Sequence, residues 1–306
     1  MLTFINETKP KVNVIIPISS RNSNPTTVYN IMHDAELYEK SNSLQKRDAI
    51  KCLDEYAKKI KWKPFGDRVI DVGCGDGGVT AILKRNYMPM YFSRVVGCDK
   101  SENMIEFANE HHGDRRTEFQ VLDIEGEMPL SLRENFDHVV SFNALHWIKN
   151  QEAAFRNIYK LLAENGDCLL LFLGHMPIYD VYRVLSRNPK WTEWLSDVDH
   201  HVSPYHDSLQ PEKDIINMLE KIGFENIEVT CKQAEFIYDD ERKWKKAVAA
   251  INPFDIPKEL YGDFMEDFRA AVPEMRMMDR ENNNIRDGFS VTVSYNSLIV
   301  YAKKRS

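Results

Sequence analysis

The residues best suited to chemistry are three aspartates that lie in or near the ends of short apolar runs. They are Asp71 in the run 69–72, Asp99 at the end of the run 94–99, and Asp123 in the run 119–124. If these runs are neighbouring parallel strands, the acids meet at one edge of the sheet, where open α/β sheets bind their ligands. A carboxylate at such an edge can accept hydrogen bonds from an ammonium group or from both hydroxyls of an adenosine ribose. The pattern predicts a nucleoside cofactor.

A glycine-rich turn follows the first of these acids. Gly73, Gly75 and Gly78 satisfy G-x-G-x-x-G, the dinucleotide fingerprint, and glycines let backbone N–H groups at a helix N-terminus approach a ligand closely. Asp71, two residues before the first glycine, would repel the phosphates of a dinucleotide but would accept from an ammonium group. The sequence therefore favours an amino acid group at this turn, and an NAD(P)-linked oxidoreductase remains the alternative.

Strand and helix patterns alternate from residue 68 to residue 173. Strands are predicted at 68–72, 94–99, 119–124, 136–143 and 168–173, helices at 79–84, 100–108 and 151–162, and a turn at 164–167. This alternation predicts a parallel sheet with right-handed crossovers. Two later strands, 226–236 and 295–302, are similar enough in character to pair.

Three further regions fall outside this alternation. An amphipathic helix is predicted over 35–60, and the polar stretch 37–45 interrupts its pattern. The segments 175–210 and 239–288 are rich in aromatic residues, and they are predicted to form either the walls of an apolar pocket or ordinary helical core.

Composition excludes several classes of protein. The chain has 306 residues, 43% of them hydrophobic, and a formal net charge of -7. It is long enough for one large α/β domain, too acidic for general nucleic-acid binding, and without an apolar run that could span a bilayer. A homodimer is compatible with this composition but is not determined by it.

The five cysteines are widely spaced, and none forms a C-x-x-C pair. This pattern suggests neither a disulfide framework nor a zinc site, so we expect no metal and a reducing, cytoplasmic location. Residues 1–31 lack the features of a signal peptide and are expected to be a loosely ordered extension before a catalytic domain at 32–306.

Three side chains offer neutral hydrogen-bond donors, two of them at the predicted sheet edge. His146 and Trp147 follow the predicted strand 136–143, and Gln45 lies in the N-terminal helical region. On the residues alone, a buried His–Trp pair and a surface glutamine are equally good or better interpretations.

Several motifs together resemble those of the insect juvenile hormone acid methyltransferases, which are class I S-adenosylmethionine-dependent methyltransferases. The matching segments are Ala35–Tyr38, Leu44–Asp48, Asp71–Gly75 and Asn143–Trp147. The resemblance runs from about residue 32 to residue 303. It implies a Rossmann-like α/β fold with a seven-stranded, mostly parallel sheet, helices on both faces, an antiparallel last strand and helical lid insertions over the substrate.

The resemblance also implies roles for individual residues. It assigns S-adenosylmethionine, with S-adenosylhomocysteine as product, to Asp71, Gly73, Cys74, Gly75, Asp99, Lys100, Asp123, Ile124 and Asn143. Asp123 would bind the adenine amino group and Ile124 would pack on the ring. Gln45 and Trp147, with His146 beside them, would hold the carboxylate of farnesoic acid or juvenile hormone acid. A different small lipophilic acid, or a lipophilic-ligand carrier without activity, would fit the same pattern.

Overall fold

The computed structural model describes residues 28–29, 34–272 and 289–305. The predicted N-terminal extension 1–31 lies outside the described residues, apart from the two-residue strand β1 (Val28–Tyr29), which pairs antiparallel with β8 (Ile256–Pro257). The end of the second predicted insertion, from residue 273 to residue 288, also lies outside them. In the described part of the chain, no helix is both long enough and apolar enough to cross a bilayer.

Seven strands form the main sheet. They are β2 (Arg68–Val72), β3 (Arg94–Asp99), β4 (Thr117–Val121), β5 (Phe136–Phe142), β6 (Leu162–Leu173), β7 (Phe224–Tyr238) and β9 (Val291–Lys304). Their spatial order is β4-β3-β2-β5-β6-β9-β7. The first five are parallel, and β9 runs antiparallel to both of its neighbours. The predicted mostly parallel sheet and the predicted antiparallel last strand are therefore confirmed.

Helices cover both faces of this sheet. The helices are α1 (Ala35–Ser41), α2 (Ser43–Tyr56), α3 (Gly78–Asn86), α4 (Glu102–His112), α5 (Gln151–Leu161), α6 (Pro177–Ser186), α7 (Val198–His201), α8 (Pro211–Ile222), α9 (Glu241–Ala250) and α10 (Tyr261–Ala271). Side chains alternate between the two faces along a strand. Ile70 and Val139 therefore pack in one apolar cluster with α5 and α8, while Val69 and Val140 pack in the other with α2 and α3.

A third apolar cluster lies in the predicted insertions, on α6, α9 and α10. Its largest fully buried side chains include Trp191, Trp244, Tyr182, Phe264 and Phe268. Most of the aromatic residues in the insertions thus form the core of a helical lid. The pocket-wall interpretation holds for only a few of them.

Local predictions differ from the structure at three places. The predicted helix 35–60 breaks at Asn42, because the Asn42 side chain turns inward and donates from Nδ2 to Asp76 Oδ2 at 3.0 Å. The third strand ends at Val121, since the Asp123 carboxylate accepts the Glu125 amide and closes a turn. The predicted turn 164–167 is instead an irregularity within β6, where the pairing with β5 shifts register.

A buried ionic cluster joins the strands at the end of the sheet opposite the glycine turn. His138 places Nδ1 2.6 Å from an oxygen of Asp167 and Nε2 3.2 Å from an oxygen of Asp67, and all three residues are at most 3% exposed. Both ring nitrogens of His138 thus lie within hydrogen-bonding distance of a carboxylate oxygen. The second oxygens of Asp67 and Asp167 accept the amides of Lys63 and Lys61, so the carboxylates are well satisfied.

We predict that His138→Ala lowers the free energy of unfolding by about 3–5 kcal/mol, because it removes the side chain that two buried carboxylates share as a hydrogen-bonding partner and leaves a cavity. Urea unfolding followed by circular dichroism measures this loss. The exposed His111 serves as the control, and His111→Ala should change stability by less than about 1 kcal/mol. Equal losses in the two variants would contradict the assigned role of the cluster.

Candidate active site

A cavity of about 350 Å³ lies at the carboxyl ends of the central strands, beneath the lid. One side of it is formed by residues at the ends of β2 and β3, including Gly73, Gly75 and Asp99. The lining also includes Gln45 of α2, His146, Trp147 and residues of α6 and α9. The predicted sheet edge and the predicted neutral donors therefore meet in one cavity.

The glycine turn is folded back against β3. The amides of Gly73 and Cys74 both donate to the Cys98 carbonyl, at 2.7 and 3.0 Å. Gly73 has a φ of 72°, and a Cβ at this position would lie 2.1 Å from the Cβ of Ala144. A side chain at Gly73 would therefore push apart the two segments that shape the cavity.

Asp71 lies behind this turn and is 1% exposed. Its Oδ2 accepts from the Thr80 hydroxyl at 2.6 Å, whereas its Oδ1 is buried and has no hydrogen-bond partner. It borders a chamber of about 10 Å³ that it shares with Gly73 and Asn143, both of which also line the main cavity. Burial raises the pKa of Asp71 to about 7. An ammonium group entering from the cavity would satisfy the unpaired oxygen, so the residues present fit a ligand that carries an amino acid group.

Asp99 is the last residue of β3 and lines the cavity. One oxygen accepts a hydrogen bond from the Gly75 amide and the other from the Ser101 amide, each at 3.0 Å. These bonds fix the carboxylate beside the glycine turn. Burial raises its pKa above the usual range. Each oxygen has a second lone pair that could accept from a ribose hydroxyl. Lys100 follows it on the same wall.

Asp76 is a site residue that the sequence analysis missed. It is buried beside the N-terminus of α3, where its Oδ1 accepts the Gly78 amide at 3.0 Å and its Oδ2 accepts from Asn42. The pyrophosphate of a dinucleotide binds at this helix N-terminus in Rossmann folds, so a carboxylate here disfavours a dinucleotide. The position of Asp76 between two glycines of the motif, Gly75 and Gly78, was the feature of the sequence that could have identified it.

Three residues assigned to the cofactor are not among those that line the main cavity, although Cys74 lines the small chamber beside Asp71. Asp123 is exposed in the turn after β4, and Ile124 is buried in the cluster on the α5 side of the sheet. Cys74 packs beneath the turn against Ile105 and Phe119. The cofactor roles of these three residues stay predictions.

The predicted donors are held at the other side of the cavity. Asn143 follows β5 in the left-handed region, with a φ of 56°, and its Nδ2 donates to the Gln45 carbonyl at 3.2 Å. His146 is 2% exposed, and its Nδ1 accepts the Leu173 amide at 3.3 Å. Burial lowers the pKa of His146 to about 3, so the ring is neutral and carries its proton on Nε2. Gln45, His146 and Trp147 thus present uncharged donors.

Tyr38 is a second wall residue to which the sequence analysis gave no role. It lies on α1, and its ring would be 3.5 Å from a Cβ at Gly75, so it covers the glycine turn. Burial, together with the nearby Asp76 and Asp99, raises the pKa of its phenol well above the usual range. The segment Ala35–Tyr38, part of the motif resemblance, was the available signal.

The described residues include one group that is close enough together to hold a metal ion, formed by His175, Asp180 and His206. His206 Nδ1 accepts the Met176 amide at 3.2 Å, so a neutral ring carries its proton on Nε2, which lies 3.0 Å from Asp180. A metal needs a lone pair at that nitrogen. The hydrogen bonds therefore favour a His–Asp pair over a metal site.

Comparison with known proteins places the chain among methyltransferases. A family model described as a methyltransferase domain matches residues 70–170. A juvenile hormone acid O-methyltransferase from Bombyx mori is 58% identical over 273 residues, which cover 89% of this chain and 98% of that protein. A protein of the same name from Drosophila melanogaster is 39% identical, with 89% and 93% covered.

Solved structures support the fold. The YcgJ protein from Bacillus subtilis superposes with a TM-score of 0.55 at 16% identity, covering 84% of this chain and 99% of that one. A phosphoethanolamine N-methyltransferase 2 from Haemonchus contortus, in complex with phosphomonomethylethanolamine and S-adenosylhomocysteine, superposes with a TM-score of 0.52 at 18% identity. It covers 90% of this chain and 58% of that one.

We predict that the affinity for S-adenosylhomocysteine rises about tenfold between about pH 6 and about pH 8, because the ligand's ammonium group requires Asp71 to be ionised. A pKa of about 7 in the free protein falls when the ammonium group binds, so binding below that pH releases a proton. Titration calorimetry in buffers of different ionisation enthalpy measures both effects. In Asp71→Asn the pH dependence should be absent, and a slope that survives this change would refute the assignment.

Proposed function

Because the chain belongs to the juvenile hormone acid O-methyltransferase family, we infer that it transfers the methyl group of S-adenosylmethionine to the carboxylate of farnesoic acid or juvenile hormone acid, a step of juvenile hormone biosynthesis. The observation that carries this function is the 58% identity over 89% of the chain to the Bombyx mori enzyme. The cavity supports it independently, since its lining includes Asp99 and the neutral donors Gln45, His146 and Trp147, and Asp71 lines a small chamber that shares Gln45 and Gly73 with it.

The cofactor supplies an electrophilic methyl group bonded to a sulfonium. Gly73 and Gly75 leave room for its amino acid portion, and Asp71 and Asn143 offer unpaired oxygens to its ammonium group. Asp99 is placed to accept from the ribose hydroxyls. We also assign Cys74, Lys100, Asp123 and Ile124 to this ligand, following the family motif.

The acceptor is ready to react without a base, since a carboxylic acid with a pKa near about 4.3 is ionised at neutral pH. One carboxylate oxygen forms the C–O bond as the C–S bond breaks, and no proton has to move. The contribution of the protein is therefore to align the oxygen, the methyl carbon and the sulfur. Gln45, His146 and Trp147 are proposed to do this by hydrogen bonding.

Neutral donors suit this reaction better than a cation would. Negative charge on the carboxylate disappears in the transition state, so a cation beside it would stabilise the ground state more and slow the reaction. The depressed pKa of His146 keeps that ring uncharged at physiological pH. Its Nε2–H can then orient the carboxylate without neutralising it.

We propose that the two insertions, 175–210 and 239–288, cover the lipophilic chain of the substrate. Met176 and Ile178 from the first insertion and Ala247, Ala250 and Ile251 from the second line the cavity. Apolar walls favour the hydrocarbon chain of the acid and exclude water from the reacting groups.

We also propose a cytoplasmic location for the protein. All five cysteines are unpaired, which supports a reducing compartment.

We predict that Gln45→Ala and Trp147→Phe reduce turnover at least about tenfold while the affinity for S-adenosylhomocysteine changes less than about twofold, because each loses a donor to the acid. Asp99→Ala should instead weaken cofactor binding. The assay combines S-adenosylmethionine with farnesoic acid and quantifies the methyl ester. Wild-type turnover in both donor variants would remove their assignment, and the absence of any ester from a range of terpenoid and fatty acids would remove the proposed reaction.

We predict that S-adenosylhomocysteine at about 100 times its dissociation constant stabilises the protein by about 2.7 kcal/mol, whereas NADH does not. Thermal unfolding with each ligand measures the difference. Stabilisation by NADH alone would favour the oxidoreductase alternative, which the Asp76 carboxylate at the α3 N-terminus argues against.

A further inference from the structure

Helix α6 carries two buried tyrosines whose hydroxyls have no hydrogen-bond partner, Tyr179 and Tyr182. Each residue is 1% exposed. A buried hydroxyl without a partner is unfavourable unless a ligand or water completes it. The two residues lie on the same helix, and each has a buried hydroxyl without a partner. They differ in their surroundings, and this difference indicates which of the two could bind a ligand.

Tyr179 lines the same cavity as Gln45, His146 and Trp147, whereas Tyr182 is not among the residues that line it. The Tyr179 ring meets Trp147 edge to face, with ring centroids 6.2 Å apart and planes at 88°. Tyr182 packs instead against Phe254 and Phe268 inside the lid. Of the two tyrosines, only Tyr179 therefore lines the cavity and contacts one of the proposed carboxylate donors, Trp147.

The Tyr179 ring is held in place by its surroundings. Its amide donates to the Met176 carbonyl at 3.1 Å, and its ring meets His206 edge to face with centroids 5.4 Å apart. His206 is in turn fixed by the Met176 amide and by Asp180. A ring fixed in this way loses little conformational entropy when its hydroxyl finds an acceptor.

We propose that Tyr179 is a further substrate-binding residue whose hydroxyl donates a hydrogen bond to the carboxylate oxygen that does not attack the methyl group. This proposal rests on the proposed function. The two oxygens of a carboxylate offer about four lone-pair sites, and Gln45, His146 and Trp147 are three donor groups, so a fourth group can still be accommodated. A phenol adds a neutral donor, like the donors already present.

Protonation and reaction chemistry both agree with this role. Burial raises the pKa of Tyr179 well above the usual range, so the hydroxyl keeps its proton at physiological pH. A hydrogen bond to the spectator oxygen is present before and during methyl transfer. Its loss should therefore weaken acid binding more than it slows the chemical step.

The experiment compares Tyr179→Phe with Tyr182→Phe in the full chain. Both changes remove one buried, unpaired hydroxyl from the same helix, so both variants should unfold at or above the wild-type temperature. Steady-state methyl ester formation is measured against farnesoic acid, and calorimetry gives the affinity for S-adenosylhomocysteine.

For Tyr179→Phe we expect the KM of the acid to rise about 10- to 100-fold, the loss typical of one hydrogen bond to a charged group, with kcat and cofactor affinity within about twofold of wild type. Tyr182→Phe should match the wild type in all three. An unchanged KM in Tyr179→Phe, or the same rise in both variants, overturns the proposal. Ester formation by the wild type in the same assay shows that the proposed function survives that outcome.

Discussion

The buried negative charge around the glycine turn is the constraint on which the site depends. Asp71, Asp76 and Asp99 approach the same turn from β2, from the turn itself and from β3, and burying carboxylates is costly unless hydrogen bonds satisfy them. Backbone amides of Gly75, Gly78 and Ser101 and the side chains of Thr80 and Asn42 provide most of those bonds. One oxygen of Asp71 remains without a partner.

These hydrogen bonds make the glycine turn better suited to the ammonium group of an amino acid than to a phosphate. The amides of Gly75 and Gly78 already donate to Asp99 and Asp76, and those of Gly73 and Cys74 donate to the Cys98 carbonyl, so these amides are not free to bind a phosphate. A cationic ammonium group would compensate the negative charge of the aspartates around the turn, whereas a phosphate would add to that charge. Gln45, His146 and Trp147, which line the same cavity, instead offer donors without a formal charge.

The parts of the fold that local patterns determine were predictable from sequence. The β-branched run before Gly73 predicts β2, and the apolar run that ends in Asp99 predicts β3. The carboxyl ends of these two strands then predict where the site lies. The break at Asn42 was not predictable, because its cause is a hydrogen bond to Asp76, 34 residues away. Gln45 became a candidate only through resemblance, since a helical glutamine carries no local signal. Its place in the cavity depends on the contact between its carbonyl and Asn143.

The helices of the two insertions share an apolar cluster that also takes in Leu173 of β6 and Val293 of β9, and this cluster is distinct from the two that pack on the central strands. Trp191, Trp244 and Phe268 pack among α6, α9 and α10, away from the two clusters that hold the sheet. The α9 residues that face the cavity are instead the small Ala247 and Ala250. Bulky residues thus lie behind the cavity wall and small ones form part of it. A change of volume at the α9 wall can therefore alter which hydrocarbon chain fits while the carboxylates around the glycine turn keep their hydrogen bonds.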